Sequence, residues 1–283
     1  MHEPDYRIRT MSRAELDIAI DWAAAEGWNP GLHDADSYYA ADPDGFLIGL
    51  LGDEPIAVIS VVKYGAGFGF LGFYIVKPEY RGQGYGLQIW NAGLAYLAGR
   101  TIGLDGVVTQ QDNYRKSGFA LAHANVRYQG VAGDEQCNDA DIVPLTGLPF
   151  ADLCAYDRAF FPESRAAFLQ RWIAQPESTA LGILHDRQLA GYAVLRRCRA
   201  GYKVGPLFAD SAPLAERLFR ALKACAPAGA DIFLDVPANH AAAVDMAQRH
   251  GMTVSFETAR MYRGAAPAMP IERIFGITSF ELG

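Results

Sequence analysis

Apolar and polar residues alternate along residues 5–11 (DYRIRTM), a period of two that predicts a β-strand. Ser12 followed by Glu15 is a capping box and opens a helix to about Glu26, with Leu16, Ile20 and Ala23 on one face. Residues 26–43 (EGWNPGLHDADSYYAADP) read as loop with one short helix. Three strands follow, at 45–53, 55–65 and 68–76, and the Gly-, Asp- and Pro-bearing turns between them predict antiparallel hairpins. Leu87, Trp90, Leu94 and Leu97 then recur at helical spacing and predict a buried helix face. Residues 101–108 form a short buried strand, NYRKSGF (113–119) closes a helix with Gly118 as its C-cap, and 125–130 is a last strand.

After residues 131–141 the pattern starts again. Helical segments around 151–161 and 164–175 precede a strand, acidic turn and strand over 179–198, in the rhythm of residues 48–61. RHGM (249–252) echoes KSGF (116–119), an offset of 133, and RMYRG (260–264) echoes VRYQG (126–130), an offset of 134. A nearly constant offset at separated points implies an internal duplication. The chain is therefore expected to hold two similar α/β domains with α+β mixed sheets, at 1–131 and 140–283.

Composition narrows the function. The 283 residues are 51% hydrophobic and 20% charged, as in a globular protein, with a formal net charge of -7. No Lys/Arg cluster suits nucleic acid; LRRCR (195–199), the densest basic spot, reads as a solvated strand end or a local phosphate site. Cys137, Cys154, Cys198 and Cys225 show no metal or redox spacing and are expected as buried free thiols, and the scattered histidines predict no metal site. Without an apolar leader or a run of membrane length, a cytoplasmic protein is expected, with no membrane partner.

Two glycine-rich stretches compete for attention. GFGFLG (67–72) satisfies a dinucleotide pattern, but strand-like FYIVKP follows it where a helix is required. RGQGYG (81–86) lies between a strand ending at Val76 and a helix beginning near Gly84. Gly82, Gly84 and Gly86 would let the backbone turn and leave its N–H groups uncovered beside a helix N-terminus, a site for pyrophosphate. VKPEYRGQGYGLQIW thus resembles the acyl-CoA signature of the GNAT N-acetyltransferase superfamily, with Arg81, Gly84 and Gly86 on its fixed positions. The order of elements over 5–130 also resembles the GNAT fold, and the whole chain resembles the two-domain members of the YitH/HolE type.

The resemblance implies that acetyl-CoA, or another acyl-CoA, lies with its pyrophosphate on the amides of Arg81, Gly82, Gln83, Gly84, Tyr85 and Gly86. Arg81 would help neutralise it, or be an exposed loop cation. Strand 68–76 would splay from 101–108 to admit pantetheine, with an N–H near Ile75 or Val76 polarising the thioester carbonyl. Tyr114, four residues before Gly118, matches the family's proton donor to the leaving sulfur; packing of its helix is the alternative. Many members carry Asn seven residues before that Tyr, where this chain has Val107; Gln110, Gln111 or Asn113 could substitute. Asp105 is a candidate base or a turn-bonding Asp, Glu79 a partner for Arg81, and water an alternative proton carrier. Trp28, Asp34, Asp36, Tyr38 and Tyr39 lie where the family builds its acceptor pocket and would suit a cationic amine, or be a solvated acidic loop.

The corresponding positions of the second half are Arg217, Phe219 and Ala247, and residues 206–216 contain no glycine. That half is expected to be a degenerate GNAT-like domain that completes the acceptor pocket, covers apolar surface or forms a homodimer, with His240 at a helix start. The expected activity is acetyl transfer to a primary amine of a small molecule; a non-catalytic acyl-CoA sensor or a protein-lysine acetyltransferase are the alternatives.

Overall fold

The structure is a computed structural model that describes residues 5–133 and 137–283. Of the break read at 131–141, residues 134–136 lie outside the described ones. The first half runs β1 (Tyr6–Thr10), α1 (Leu16–Ala25), α2 (Asp34–Ala41), β2 (Phe46–Leu51), β3 (Glu54–Tyr64), β4 (Phe68–Val76), α3 (Tyr85–Tyr96), β5 (Thr101–Val107), α4 (Gln111–Lys116) and β6 (Ala120–Val131). The second half repeats that order with β7 (Ile142–Pro144), α5 (Phe150–Asp157), α6 (Ala166–Trp172), β8 (Ser178–His185), β9 (Gln188–Arg197), β10 (Tyr202–Ala209), α7 (Ala212–Cys225), β11 (Asp231–Pro237), α8 (Ala241–Arg249) and β12 (Thr253–Arg263), then adds β13 (Ile274–Gly276).

The elements follow from local chemistry. Ser12 N–H donates to Glu15 (2.8 Å) and Glu15 N–H to the Ser12 hydroxyl (3.4 Å), so the capping box forms just ahead of α1. Strand β3 is buried on both faces. Val58 and Val62 point to the layer of α1 and α2, and Ala57, Ile59 and Val61 to α3, as a period of two requires. The first of these layers is continuous across the halves, since Tyr38 of α2 lies 5.8 Å from Trp172 and 6.5 Å from Phe168 of α6. One position in the expected helix face departs: Trp90 and Leu97 are buried, but Leu87 is 63% exposed. It sits in the first turn of α3, which stands at the mouth of a cleft where no strand covers it.

The thirteen strands of the described residues share one mixed sheet, in the order β1-β2-β3-β4-β5-β12-β6-β11-β10-β9-β8-β7, with β13 on β10. The halves exchange their final long strands. β12 of the second half pairs with β5 of the first, and β6 of the first pairs with β11 of the second. β6 and β12 pair with each other at the centre. The halves are thus one hydrogen-bonded body.

After β13 the chain crosses to the first half. There Tyr64 donates to the Leu282 carbonyl (3.2 Å) and Ser60 to that of Glu281 (3.5 Å). Gly72 permits this, because a Cβ there would lie 2.1 Å from the Glu281 carbonyl oxygen. Arg165 braces the segment, donating to Thr278 (3.0 Å) and the Gly283 carbonyl (3.4 Å) while paired with Asp157 (2.7 and 2.9 Å). Replacing Arg165 by Met strands a buried carboxylate, which costs about 3–5 kcal/mol. The urea midpoint of Arg165→Met is expected to fall accordingly with an unchanged slope, measured by circular dichroism.

Candidate functional site

β4 and β5 run parallel and paired only from Phe68–Leu71 against Thr101–Leu104. Beyond Leu71 they separate. Phe73 adopts a positive φ of 44°, and the register of β4 against β3 shifts between Val58 and Ser60, which turns β4 aside. β5 stays paired with β12 as far as Val107, so its open edge faces β4. The gap is a cleft of about 590 Å³, lined by Phe73–Val76 on one side and Asp105–Val107 on the other.

The glycine loop stands at one end of this cleft. Gly82 (φ 77°) and Gly84 (φ 87°) hold left-handed conformations, and a Cβ on either would meet nothing within 4 Å. Their requirement is conformational, and the space before them is open. Gly86 differs, because its Cβ would lie 2.7 Å from the Tyr74 hydroxyl. Gly84 caps α3 without a side chain, leaving the first-turn N–H groups free for an anion. Open space, free donors and the helix dipole all fit a pyrophosphate. Arg81 lines the cleft, donating to the Val76 carbonyl (2.8 Å) and to Glu26 (2.5 Å). The Gln83 side chain instead braces the loop through the Glu79 carbonyl (2.8 Å), and the Tyr85 ring packs 4.8 Å from that of Tyr6. Glu79 is not a partner of Arg81; that place belongs to Glu26.

Tyr114 reaches the cleft from α4, its ring stacked on Trp90 at 5.6 Å. Gly106 makes room for it, since a Cβ there would lie 2.1 Å from the phenol ring. Burial, with Tyr74 nearby, pushes the Tyr114 phenol up to about 12, so it remains a hydrogen-bond donor at neutral pH. Of the polar residues that could stand in for the Asn replaced by Val107, Gln110 lines the cleft and accepts from Asn113 (2.7 Å). Gln111 accepts from Arg115 (3.2 Å).

Asp105 also lines the cleft, but both its oxygens are engaged. Arg260 of β12 donates at 2.8 and 2.6 Å, and Asn125 of β6 at 2.8 Å. A carboxylate held in this way ties the exchanged strands together.

Of the five acceptor residues expected in 27–39, four do not line the cleft. Trp28 lines the cleft. Asp34 is buried in an ion pair with Arg196 and accepts from the Gly31 N–H (2.8 Å) and Tyr38 (3.2 Å). Asp36 points outward to Arg13 (2.5 Å), Tyr38 is fully buried, and Tyr39 packs on Phe46 at 6.4 Å. The LRRCR spot is not a solvated strand end, because Arg196 within it is 1% exposed. Its burial is set by Asp34, which sequence proximity does not reveal. Among the cysteines only Cys198 is buried, and all four are free.

The second half supplies the wall instead. Phe256 and Thr258 come from β12, and Phe280 and Glu281 from the segment after β13. The sequence reading missed them because they reach the cleft only through the strand exchange. One local signal was available: a glutamate within FGITSFELG, a run otherwise free of charge. Among the described residues no group of three or more His, Cys, Asp or Glu could hold a metal ion, and no helix is long and apolar enough to cross a membrane.

The corresponding splay of the second half is filled by the chain. β10 and β11 pair only over Tyr202–Val204 and Ile232–Leu234. Past that point β13 lies antiparallel on β10, and the Ile277 N–H donates to the Asp235 carbonyl of β11 (2.9 Å).

The comparisons agree with this architecture. The acetyltransferase (GNAT) family model matches residues 11–120, and an acetyltransferase (GNAT) domain model matches residues 153–276. The holothin acyltransferase of Pseudoalteromonas sp. (strain SANK 73390) is 31% identical over 272 residues, 96% of this chain and 92% of that one. The uncharacterized N-acetyltransferase YitH of Bacillus subtilis (strain 168) is 28% identical over 173 residues, 60% and 61% of the two chains. Among solved structures, a candidate acetyltransferase from Pyrococcus horikoshii superposes with a TM-score of 0.83 at 19% identity, covering 100% of this chain and 98% of that one. A tandem GNAT protein from the clavulanic acid biosynthesis pathway gives 0.61 at 12% identity, covering 93% and 100%. This chain belongs to the GNAT acetyltransferase superfamily and carries two GNAT domains in tandem. It is an acyltransferase of that family, and the fold implies an acyl-CoA donor.

Because β13 fills the second splay, calorimetric titration with CoA is expected to give one site per chain; two sites would contradict that assignment. A side chain at Gly84 would enter the open space before the loop and carry a left-handed strain of about 1–2 kcal/mol, which a domain of ordinary stability tolerates. Gly84→Val is expected to keep its circular dichroism spectrum and lose CoA binding in the same titration.

Proposed function

We propose that this protein transfers an acetyl group from acetyl-CoA to the primary amine of a small molecule by direct attack. One observation carries the reading: a single cleft runs from the open glycine loop, between the separated edges of β4 and β5, to the Tyr114 phenol. The N–H groups of residues 81–86 would hold the pyrophosphate, with Arg81 turning from Glu26 to the anion. An N–H at Ile75 or Val76 would polarise the thioester carbonyl, and Tyr114 would donate to the departing sulfur. Gln83 and Tyr85 would contribute main-chain groups only.

Two further points support a small acceptor. Phe256, Phe280 and Trp28 line the cleft, which argues against a protein lysine entering from that side. The 31%-identical relative is a holothin acyltransferase, an N-acyltransferase of a small-molecule amine. Asp34 and Asp36 are removed from the acceptor assignment, since one is spent on Arg196 and the other lies outside. We assign residues 1–131 and 140–283 to the two repeats, the second without a cofactor site, and a cytoplasmic location accords with four free thiols.

Tyr114→Phe tests the mechanism. CoA affinity is expected to stay unchanged while kcat for amide formation falls by about 10²–10⁴. Unchanged turnover removes Tyr114 from the chemistry. Because burial holds this phenol up to about 12, kcat of the wild type is expected to show no alkaline decline between about pH 8 and about pH 10.

A further inference from the structure

The Tyr74 phenol of β4 is the group in the cleft that packing accounts for least. Its ring lies 5.0 Å from that of Trp90 and lines the cleft, which a phenylalanine would do as well. Its hydroxyl is another matter, because none of the described residues hydrogen-bonds it. Tyrosine hydroxyls drawn into a protein ordinarily find a partner. The neighbouring phenols have theirs: Tyr6 donates to the Tyr85 carbonyl (3.3 Å) and Tyr80 to Glu54 (2.8 Å). Burial raises the Tyr74 pKa, so the group is a hydrogen-bond donor at neutral pH.

Room is kept for this hydroxyl. Gly86 stands in the first turn of α3 and has no positive φ, so its backbone does not demand glycine. Glycine is also a poor helix former. What a Cβ there would meet is the Tyr74 hydroxyl at 2.7 Å and a Val76 methyl at 3.1 Å. The hydroxyl therefore lies against the helix turn whose free N–H groups face the open space before the glycine loop. That end of the cleft is short of positive charge. Among the described residues the cleft is lined by Glu26, Asp105 and Glu281 and by one cation, Arg81, which already donates to Glu26 (2.5 Å) and the Val76 carbonyl (2.8 Å). A diphosphate entering here depends on neutral donors, and an O–H donating to an anionic oxygen makes one of the stronger hydrogen bonds.

Resting on the acyl-CoA reading above, we propose that Tyr74 is a donor-binding residue whose hydroxyl hydrogen-bonds the pyrophosphate of coenzyme A. The loop N–H groups hold the diphosphate from the side of α3, and the phenol donates to it from β4. The proton stays on the tyrosine throughout, since the contact is made to bind and not to react. The same contact gives Gly86 its reason: an alanine there would push the phenol off the anion. Tyr114 enters from α4 and keeps its separate task at the sulfur. Tyr74 lies outside the RGQGYG run, and only the packing of β4 under α3 brings its hydroxyl to that loop.

The test is calorimetric titration of the wild type, Tyr74→Phe, Gly86→Ala and the double variant with CoA. Adenosine 3′-phosphate 5′-diphosphate, which carries a diphosphate without pantetheine, is then measured by its displacement of CoA. Tyr74→Phe keeps the ring on Trp90 and is expected to keep its circular dichroism spectrum while weakening CoA and the nucleotide alike by about tenfold. Gly86→Ala is expected to give a similar loss, and the double variant little more than either, because a single contact is lost in all three. Unchanged CoA affinity in Tyr74→Phe or in Gly86→Ala overturns the contact. A loss for CoA that spares the nucleotide, or a nucleotide that fails to displace CoA from the wild type, overturns the assignment to pyrophosphate. Losses that multiply in the double variant overturn the link between the hydroxyl and Gly86. Failure of the wild type to bind CoA would defeat the acyl-CoA site instead, so the two readings fail separately.

Discussion

A parallel pair of strands that stops pairing partway is the feature on which the site depends. β4 and β5 share hydrogen bonds only to Leu71 and Leu104, and the main-chain edges beyond are left facing each other. Buried main-chain groups require partners, so such a gap needs an occupant that can supply hydrogen bonds. In the second half the occupant is β13, a piece of the chain itself. In the first half the gap is continuous with an open glycine loop, which gives an extended ligand with an anionic end a place to lie. The same fold therefore yields one open cleft and one closed copy of it.

The exchange of β6 and β12 decides who builds the other wall. β12 lies directly against β5, so Phe256 and Thr258 enter the cleft of the first half. The segment after β13 finishes the task with Phe280 and Glu281. The second half thus contributes to the cleft of the first by covering it.

Among the described residues four ion pairs are buried: Asp34–Arg196, Asp105–Arg260, Arg127–Asp235 and Asp157–Arg165. The first three join the two halves. Buried pairs add little net stability over an apolar equivalent, but breaking one leaves a stranded charge. They therefore penalise wrong dockings of the halves. This also accounts for Asp105 and Asp34, which carry the right charge for chemistry but are committed to an arginine.

Local chemistry was sufficient for much of the architecture. The period of two in β3, the capping box at Ser12 and Glu15, the C-cap at Gly118 and the loop at 81–86 all depend on residues within a few positions of one another, and each is present. The repeat was legible because both copies obey the same local rules. The reach of Tyr114 was legible too, through its spacing from Gly118. What sequence alone left open is every role set by a partner far along the chain. Asp34 and Arg196 lie apart in sequence and meet only when α2 packs beside β9. Glu281 faces the cleft only because β13 fills the second splay and Gly72 leaves room beside β4. A carboxylate's chemistry depends on what neutralises it, and in this protein that neighbour is chosen by the tertiary exchange of strands.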